Sequence, residues 1–286
     1  MFADCHAHYH ELSAKQANEL ARQACKEGID FVITCGMDLG TSAGSVRVAE
    51  SSDLFYASVG IHPWRAVIID DNLYQKLKAL AQRERVVAIS ECGLDFVGNL
   101  HSPELGAPDA KVKAVQRQAL TRQLELAREV NKPAIIHNRT SDKALMDILR
   151  RQPGLKAVLH SFMGDSDMLA EAIDLGFYFS EGFLLLPPQS DLPAAVRFHK
   201  QVNQIRPDSS KFQEAVKRIP RDRLLLETDR YPQSMFGDRP LGRIREVAAQ
   251  IAGLWSTTAD EVGRITTSNL RRLLGMPPRR QSTKEE

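Results

Sequence analysis

The chain has 286 residues, of which 43% are hydrophobic and 26% charged, with a net charge of +2. This suits one large α/β domain or two small ones, and the near-neutral balance excludes a global basic field for nucleic acid while leaving a local patch open. Cys5, Cys25, Cys35 and Cys92 form no CxxC pair, which excludes a zinc ribbon and a disulfide framework. The start MFADCHAHYH lacks the apolar core of a signal peptide, and no apolar run approaches the roughly 18 residues of a membrane span. A soluble, cytoplasmic protein with reduced thiols and no membrane partner is expected.

Short β-rich runs alternate with longer amphipathic stretches. In chain order, a strand at Phe2–His6 precedes a helix at Glu11–Glu27, which Gly28 closes as a C-cap. Strands at Phe31–Thr34 and Phe55–Gly60 lead to a helix at Leu73–Arg85. A strand at Val86–Glu91 precedes a helix at Ala114–Val130. Ala134–His137 is followed by a helix at Ser141–Arg151, and Ala157–His160 by one at Ser166–Leu175. Phe177–Ser180 and the helix Phe212–Ile219 lead to the last strand, Leu224–Thr228, and two closing helices, Arg243–Leu254 and Ala259–Leu274. Eight strands rich in Ile, Val, Leu and Phe, alternating with helices, predict a parallel sheet buried on both faces. Eight is also the number that closes a barrel, although an open doubly wound sheet alternates in the same way. A single (β/α)₈ barrel over residues 1–276 is expected, with a fraying polar tail at 277–286. The connections Val97–Val112 and Phe183–Ser210 are long for this fold and are expected to be lids or binding loops.

In such a barrel the C-terminal strand ends meet at one mouth, where active sites lie. His6, His8, Glu91, His137, His160 and Asp229 all stand at or just past predicted strand ends. Strand alternation turns Asp4, His6 and His8 to one face, so the two imidazoles can share an ion and Asp4 can orient a ring from behind. Glu91 ends a buried apolar run, where a carboxylate needs a cation or donors, and its two oxygens can bridge two ions. His137 ends PAIIH and His160 ends KAVLH. Six oxygen and nitrogen donors without thiolate suit two divalent ions, Zn²⁺, Mn²⁺ or Mg²⁺, with open positions. His62, just beyond its strand, is read as a substrate contact, and Arg139 as an anion clamp. Cys5 and Cys92 have the opposite parity and are expected to pack behind the site.

The ordered set DCHAH, GIHP, SECGLDF, QLELAREVNKPAIIHNR, HSFMG and LLLETD, spread over about residues 2–275, resembles the TatD family of metal-dependent hydrolases. The resemblance implies a TIM-type barrel of the metallo-dependent hydrolase type. It assigns His6, His8, Glu91 and Asp229 to one ion, and Glu91, His137 and His160 to the other. It also implies a deoxyribonuclease, often acting from a 3′ end, in which a metal-bound hydroxide attacks phosphorus and Asp229 takes the proton. His62 and Arg139 would steady the phosphate of DNA or another phosphodiester. The chain departs from the family's form after Asp229, in Arg230-Tyr231-Pro232-Gln233, and in the length of the 183–210 connection. Trp64, Arg65, Arg139, Arg230 and Tyr231 are candidate nucleic-acid contacts at the mouth. The alternatives are an amidohydrolase or esterase acting on a small molecule, favoured by a closed pocket under Leu184–Pro188, and a non-catalytic binding protein on the same barrel. No obligate protein partner is evident.

Overall fold

The computed structural model describes residues 1–97, 107–186, 209–230, 241 and 243–277. Eight parallel strands form one sheet in sequential order: β1 Phe2–Ala7, β2 Ile29–Cys35, β3 Phe55–Val59, β4 Val86–Asp95, β5 Ala134–Arg139, β6 Ala157–Leu159, β7 Tyr178–Glu181 and β8 Leu224–Leu226. The helices are α1 Ala14–Lys26, α2 Leu39–Ser51, α3 Asp71–Ala81, α4 Ala110–Glu129, α5 Asp142–Leu149, α6 Ser166–Asp174, α7 Ser209–Arg218, α8 Arg243–Trp255 and α9 Ala259–Leu274. Strand, helix and parallel strand repeat round a nearly closed barrel, as expected for right-handed crossovers.

Alternation divides the strand residues between two cores. Phe55, Ala57 and Val59 of β3, like Leu224 and Leu226 of β8, pack outward under the helices. Ala3, Phe31, Ile33, Ala88, Ile135, Val158, Tyr178 and Leu225 fill the barrel itself, with Leu270 and Leu273 of α9 against them. The interior therefore begins as an apolar plug and turns polar towards the strand ends.

The seam between β8 and β1 is short and depends on polar contacts. The Asp229 N–H donates to the His6 carbonyl at 3.0 Å, and the His8 N–H to the Arg230 carbonyl at 2.7 Å. Asp4 accepts from the Thr228 N–H at 3.1 Å and from the Thr228 hydroxyl at 2.6 Å. The first and eighth strands are thus joined at the level of the mouth.

Three features differ from the sequence-based expectation. Helix α2 has no predicted counterpart, because half of its buried positions are Ser42, Gly44 and Ser45, beside Val46, Val48 and Ala49, which breaks up the apolar stripe. Strand β4 runs four residues past Glu91, pairing Gly93 with His137 and Asp95 with Arg139, so Glu91 lies below the rim. Cys92 packs outward as expected, but Cys5 belongs to the barrel interior. Register irregularity in β1 between Asp4 and Ala7 breaks the strict alternation on which that expectation rested. The 98–106 and 187–208 stretches of the two long connections, Tyr231, and residues 278–286 of the tail lie outside the described residues.

At Gly93 of β4 an added Cβ would stand 1.9 Å from the His137 carbonyl oxygen of β5. Gly93→Ala should therefore cost about 3 kcal/mol and lower the melting temperature by roughly 6–12 °C. An unchanged melting temperature would show slack between the two strands.

Candidate metal centre

Above the apolar plug the inward positions become Cys35 on β2, Ser58 on β3, Ser90 on β4, His137 on β5, Ser180 on β7 and Glu227 just past β8. The Ser58 hydroxyl donates to Cys35 Sγ at 3.0 Å and shares a 2.5 Å hydrogen bond with the Ser90 hydroxyl. On this polar layer sit six of the residues singled out from the sequence: His6, His8, Glu91, His137, His160 and Asp229. All six are buried.

Glu91 is at their centre. Its Oε2 lies 3.4 Å from His6 Nε2 and 3.5 Å from His8 Nε2. Asp229 Oδ1 lies 3.7 and 3.6 Å from the same two nitrogens. Four ligands held tetrahedrally about 2.1 Å from an ion stand about 3.4 Å apart, so these atoms outline a coordination polyhedron. Glu91 Oε1 lies 3.3 Å from His137 Nδ1, 3.4 Å from His160 Nε2 and 3.4 Å from His62 Nε2. The compact triads able to hold a cation are His6–His8–Asp229, His6–Glu91–His160 and His62–Glu91–His137.

Hydrogen bonding tests whether these groups suit a metal. His6 Nε2, Glu91 Oε2, His137 Nδ1 and Asp229 Oδ1 are buried and have no hydrogen-bond partner. Buried polar atoms are rarely left so, because each costs about 1–3 kcal/mol. Cations on either side of Glu91 would satisfy all four.

The opposite ring nitrogens confirm the fit. His8 Nδ1 faces the Cys35 carbonyl at 3.1 Å, His160 Nδ1 faces Glu227 Oε2 at 2.8 Å, and His137 Nε2 faces Asp95 Oδ2 at 3.1 Å. His6 Nδ1 meets Cys35 Sγ at 3.1 Å, a thiol that itself turns towards the Ile33 carbonyl. Each ring can therefore donate backwards and turn its other nitrogen to the cluster, where His6 Nε2 and His137 Nδ1 meet no partner, as metal-binding histidines do.

His62 is wired the other way. Its Nδ1 accepts the Trp64 N–H at 3.0 Å, so the neutral ring carries its proton on Nε2. That nitrogen is a donor aimed at Glu91, and moving the proton would set two donors against each other at Trp64. Burial lowers the His62 pKa to about 4 despite the pull of Glu91, so the ring is neutral at pH 7. Distance alone would make His62 a ligand; its tautomer makes it a hydrogen-bond donor.

Electrostatics accord with a site built for positive charge. Burial alone would raise the Glu91 pKa, but His62 and His6 outweigh it and hold the carboxyl well below its usual range. Asp229 is likewise held down against burial, by His8 and then His160. Burial opposes charge on His6, yet Cys35 and Glu91 raise its pKa well above the ordinary value.

Asp95 and Glu227, which received no role in the sequence reading, organise the surroundings. Asp95 Oδ2 accepts from His137, from the Trp64 indole N–H at 2.8 Å and from Arg139 Nη1 at 3.2 Å. Glu227 also accepts from the Ser161 and Ser180 hydroxyls, and His160 holds its pKa down against the effect of burial. Their signal in the sequence was a carboxylate close to a proposed ligand at a buried strand end. Asp4 lies behind the site, where it holds the His6 and Thr228 backbone rather than a ring, and burial raises its pKa to about 7. Arg139 is buried, with its guanidinium over Trp64 and its Nε unpartnered. Arg230 is buried over the Tyr9 ring, and Arg65 is exposed at the rim.

The profile described as TatD related DNase matches residues 3–275. A Bacillus subtilis metal-dependent hydrolase, YabD, is 33% identical over 96% of this chain and 98% of its own length. An Edwardsiella piscicida protein named as a 3'-5' ssDNA/RNA exonuclease, TatD, is 30% identical over 88% of this chain and 90% of its own. The crystal structure of the Escherichia coli TatD homologue YJJV superimposes with a TM-score of 0.75 at 24% identity, covering 96% of this chain and 98% of that one.

Two outcomes are expected. Cations compete with protons for the imidazole and carboxylate groups, so affinity should rise with pH, and titration calorimetry at mildly acidic pH in buffers of different ionisation enthalpy should register proton release; a buffer-independent heat would contradict this. Asp95→Asn, which replaces one His137 acceptor oxygen by an amide, should weaken metal binding about 10- to 100-fold. Competition with a chromogenic chelator measures that change.

Proposed function

The chain belongs to the TatD family of metal-dependent hydrolases, and on that premise we propose that it is a deoxyribonuclease cleaving phosphodiester bonds from the 3′ end of a strand with two divalent ions. His6, His8, Asp229 and Glu91 would hold one ion, and His137, His160 and Glu91 would hold the other. When bound, the ions supply positive charge to the phosphoryl oxygens and make water acidic enough to attack at neutral pH.

The chain's own groups do the rest. Asp229 turns Oδ1 towards His6 and His8, and its ionised carboxylate leaves Oδ2 to receive the proton lost by the attacking water. His62 donates its Nε2–H to a phosphoryl oxygen once Glu91 is engaged by cations. Arg139 uses one Nη on Asp95, and its remaining N–H groups offer a phosphate a charged, planar set of donors. Burial of every participating side chain keeps bulk water from screening these interactions.

The observation that carries this reading is the ring of buried lone pairs that no protein donor meets, in a chain with an exonuclease among its relatives. Among the described residues no helix is long and apolar enough to cross a membrane. The same centre can attack a carboxylic ester or amide, and a small-molecule substrate is therefore the competing outcome of the test.

A 5′-labelled single-stranded oligonucleotide should be shortened from its 3′ end by chelated protein restored with Mn²⁺, Mg²⁺ or Zn²⁺, and not by Glu91→Ala. Tight metal binding with ester or amide hydrolysis but intact DNA would overturn the nuclease assignment. His62→Ala should keep both ions by elemental analysis yet turn over about 100-fold more slowly. Loss of an ion in that variant would make His62 a ligand after all.

A further inference from the structure

A cavity of about 520 Å³ opens beside the mouth, between α4 and α5, with Phe96, Arg117, Ser141, Lys143, Asp147 and Arg151 among its walls. It lies outside the metal centre but is continuous with it along the chain. Phe96 directly follows Asp95, and its N–H donates to the Arg139 carbonyl at 3.0 Å. Thr140 and Ser141 directly follow Arg139. The cavity therefore begins where the two strands that supply Glu91 and His137 reach the rim.

From Glu91 to Phe96 is five residues, about 16 Å at the rise of a parallel strand. A polymer whose end enters the centre must leave it across the rim, and here the rim is cut by a channel of suitable chemistry. Phe96 is half-buried in the wall, with Lys113 Nζ 4.9 Å and the Arg117 guanidinium 5.4 Å from its ring centre. The acids of the channel are engaged. Asp142 accepts from Asn138 at 2.6 Å, and Asp147 pairs with Lys143 at 3.2 Å and with Arg150 at 2.7 Å. Arg151 comes near enough to help lower the Asp147 pKa, after Lys143 and Arg150, but among the described residues neither Arg151 nor Arg117 is in an ion pair. Two exposed guanidinium groups thus line the cavity, one on α4 and one just after α5, beside an aromatic ring. Positive charge along a groove beside a stacking surface is how single-stranded nucleic acid is held without reading its sequence.

We infer that this channel is the track for the nucleotides adjoining the scissile phosphate, with a base against Phe96 and phosphates at Arg117 and Arg151, an inference that rests on the nuclease reading of the metal centre. Arg117 and Arg151 are substrate-binding groups for the polymer and play no part in the bond cleavage.

The test is binding of fluorescently labelled (dT)₁₀ by the chelated full-length protein, followed by anisotropy across a salt series, beside the kinetics of decamer hydrolysis by the metal-restored protein. Each phosphate contact on a single strand contributes about 0.7 to the slope of log K against log salt. Arg117→Ala/Arg151→Ala should therefore lower that slope by about 1.4 and raise the KM for the decamer with kcat little changed. Phe96→Leu, which keeps apolar bulk in the wall, should weaken binding about 5- to 100-fold. Unchanged slope and KM in the arginine variant overturn the channel assignment even if wild-type protein digests DNA. Binding that depends on both arginines without cleavage under any metal upholds the channel and overturns the nuclease reading. Failure of the wild-type protein to bind (dT)₁₀ overturns the channel.

Discussion

A buried carboxylate surrounded by imidazoles is the constraint around which this barrel is arranged. Taking Glu91 out of water costs several kcal/mol unless opposite charge or donors surround it. Here five histidines close on its two oxygens. They come from β1, the β3–α3 connection, β5 and the end of β6, segments that only barrel closure brings together. The lower interior is apolar and the upper interior progressively polar, so the groups that hold the fold and those that meet the cluster occupy separate levels of the same cylinder.

Behind the histidines, a second layer fixes which nitrogen of each ring faces the cluster. Asp95, Glu227, the Cys35 carbonyl and the Cys35 sulfur each receive one ring N–H. His62 breaks the pattern because a backbone N–H, rather than an acceptor, meets its second nitrogen. The difference between a ligand and a hydrogen-bond donor thus rests on a 3.0 Å contact that lies outside the cluster.

Much of this was legible in the sequence, for identifiable reasons. Buried parallel strands must be apolar, so a histidine or acid at the end of PAIIH, KAVLH or VVAISE stands out, and these residues do meet in space. Asp4, expected to orient a ring, instead holds the His6 and Thr228 backbone and the Thr228 hydroxyl. What was not legible depends on three-dimensional detail. Helix α2 buries Ser42, Gly44 and Ser45 beside Val46, Val48 and Ala49, so the apolar period by which helices are recognised is interrupted. Its capping pair, Asp38 and Thr41, was the remaining signal. The inward turn of Cys5 follows from irregular register in β1, which alternation cannot foresee. Asp95 and Glu227 were visible as residues, but no pattern in one dimension says which ring they face. Trp64 and Arg139 looked like free contacts for a ligand, whereas Asp95 ties both of them down.

The seam joining β8 to β1 also has a consequence for the order of events during synthesis. Asp229 and the Thr228 groups that grip Asp4 are made more than two hundred residues after His6 and His8. At about 5–20 residues per second, that interval is some ten to forty seconds. Throughout it the early histidines have no closed barrel around them and no Asp229 to complete their cluster. Barrel closure and completion of the four-atom pocket are therefore a single late event, and a nascent chain stays chemically incomplete until its eighth strand has docked.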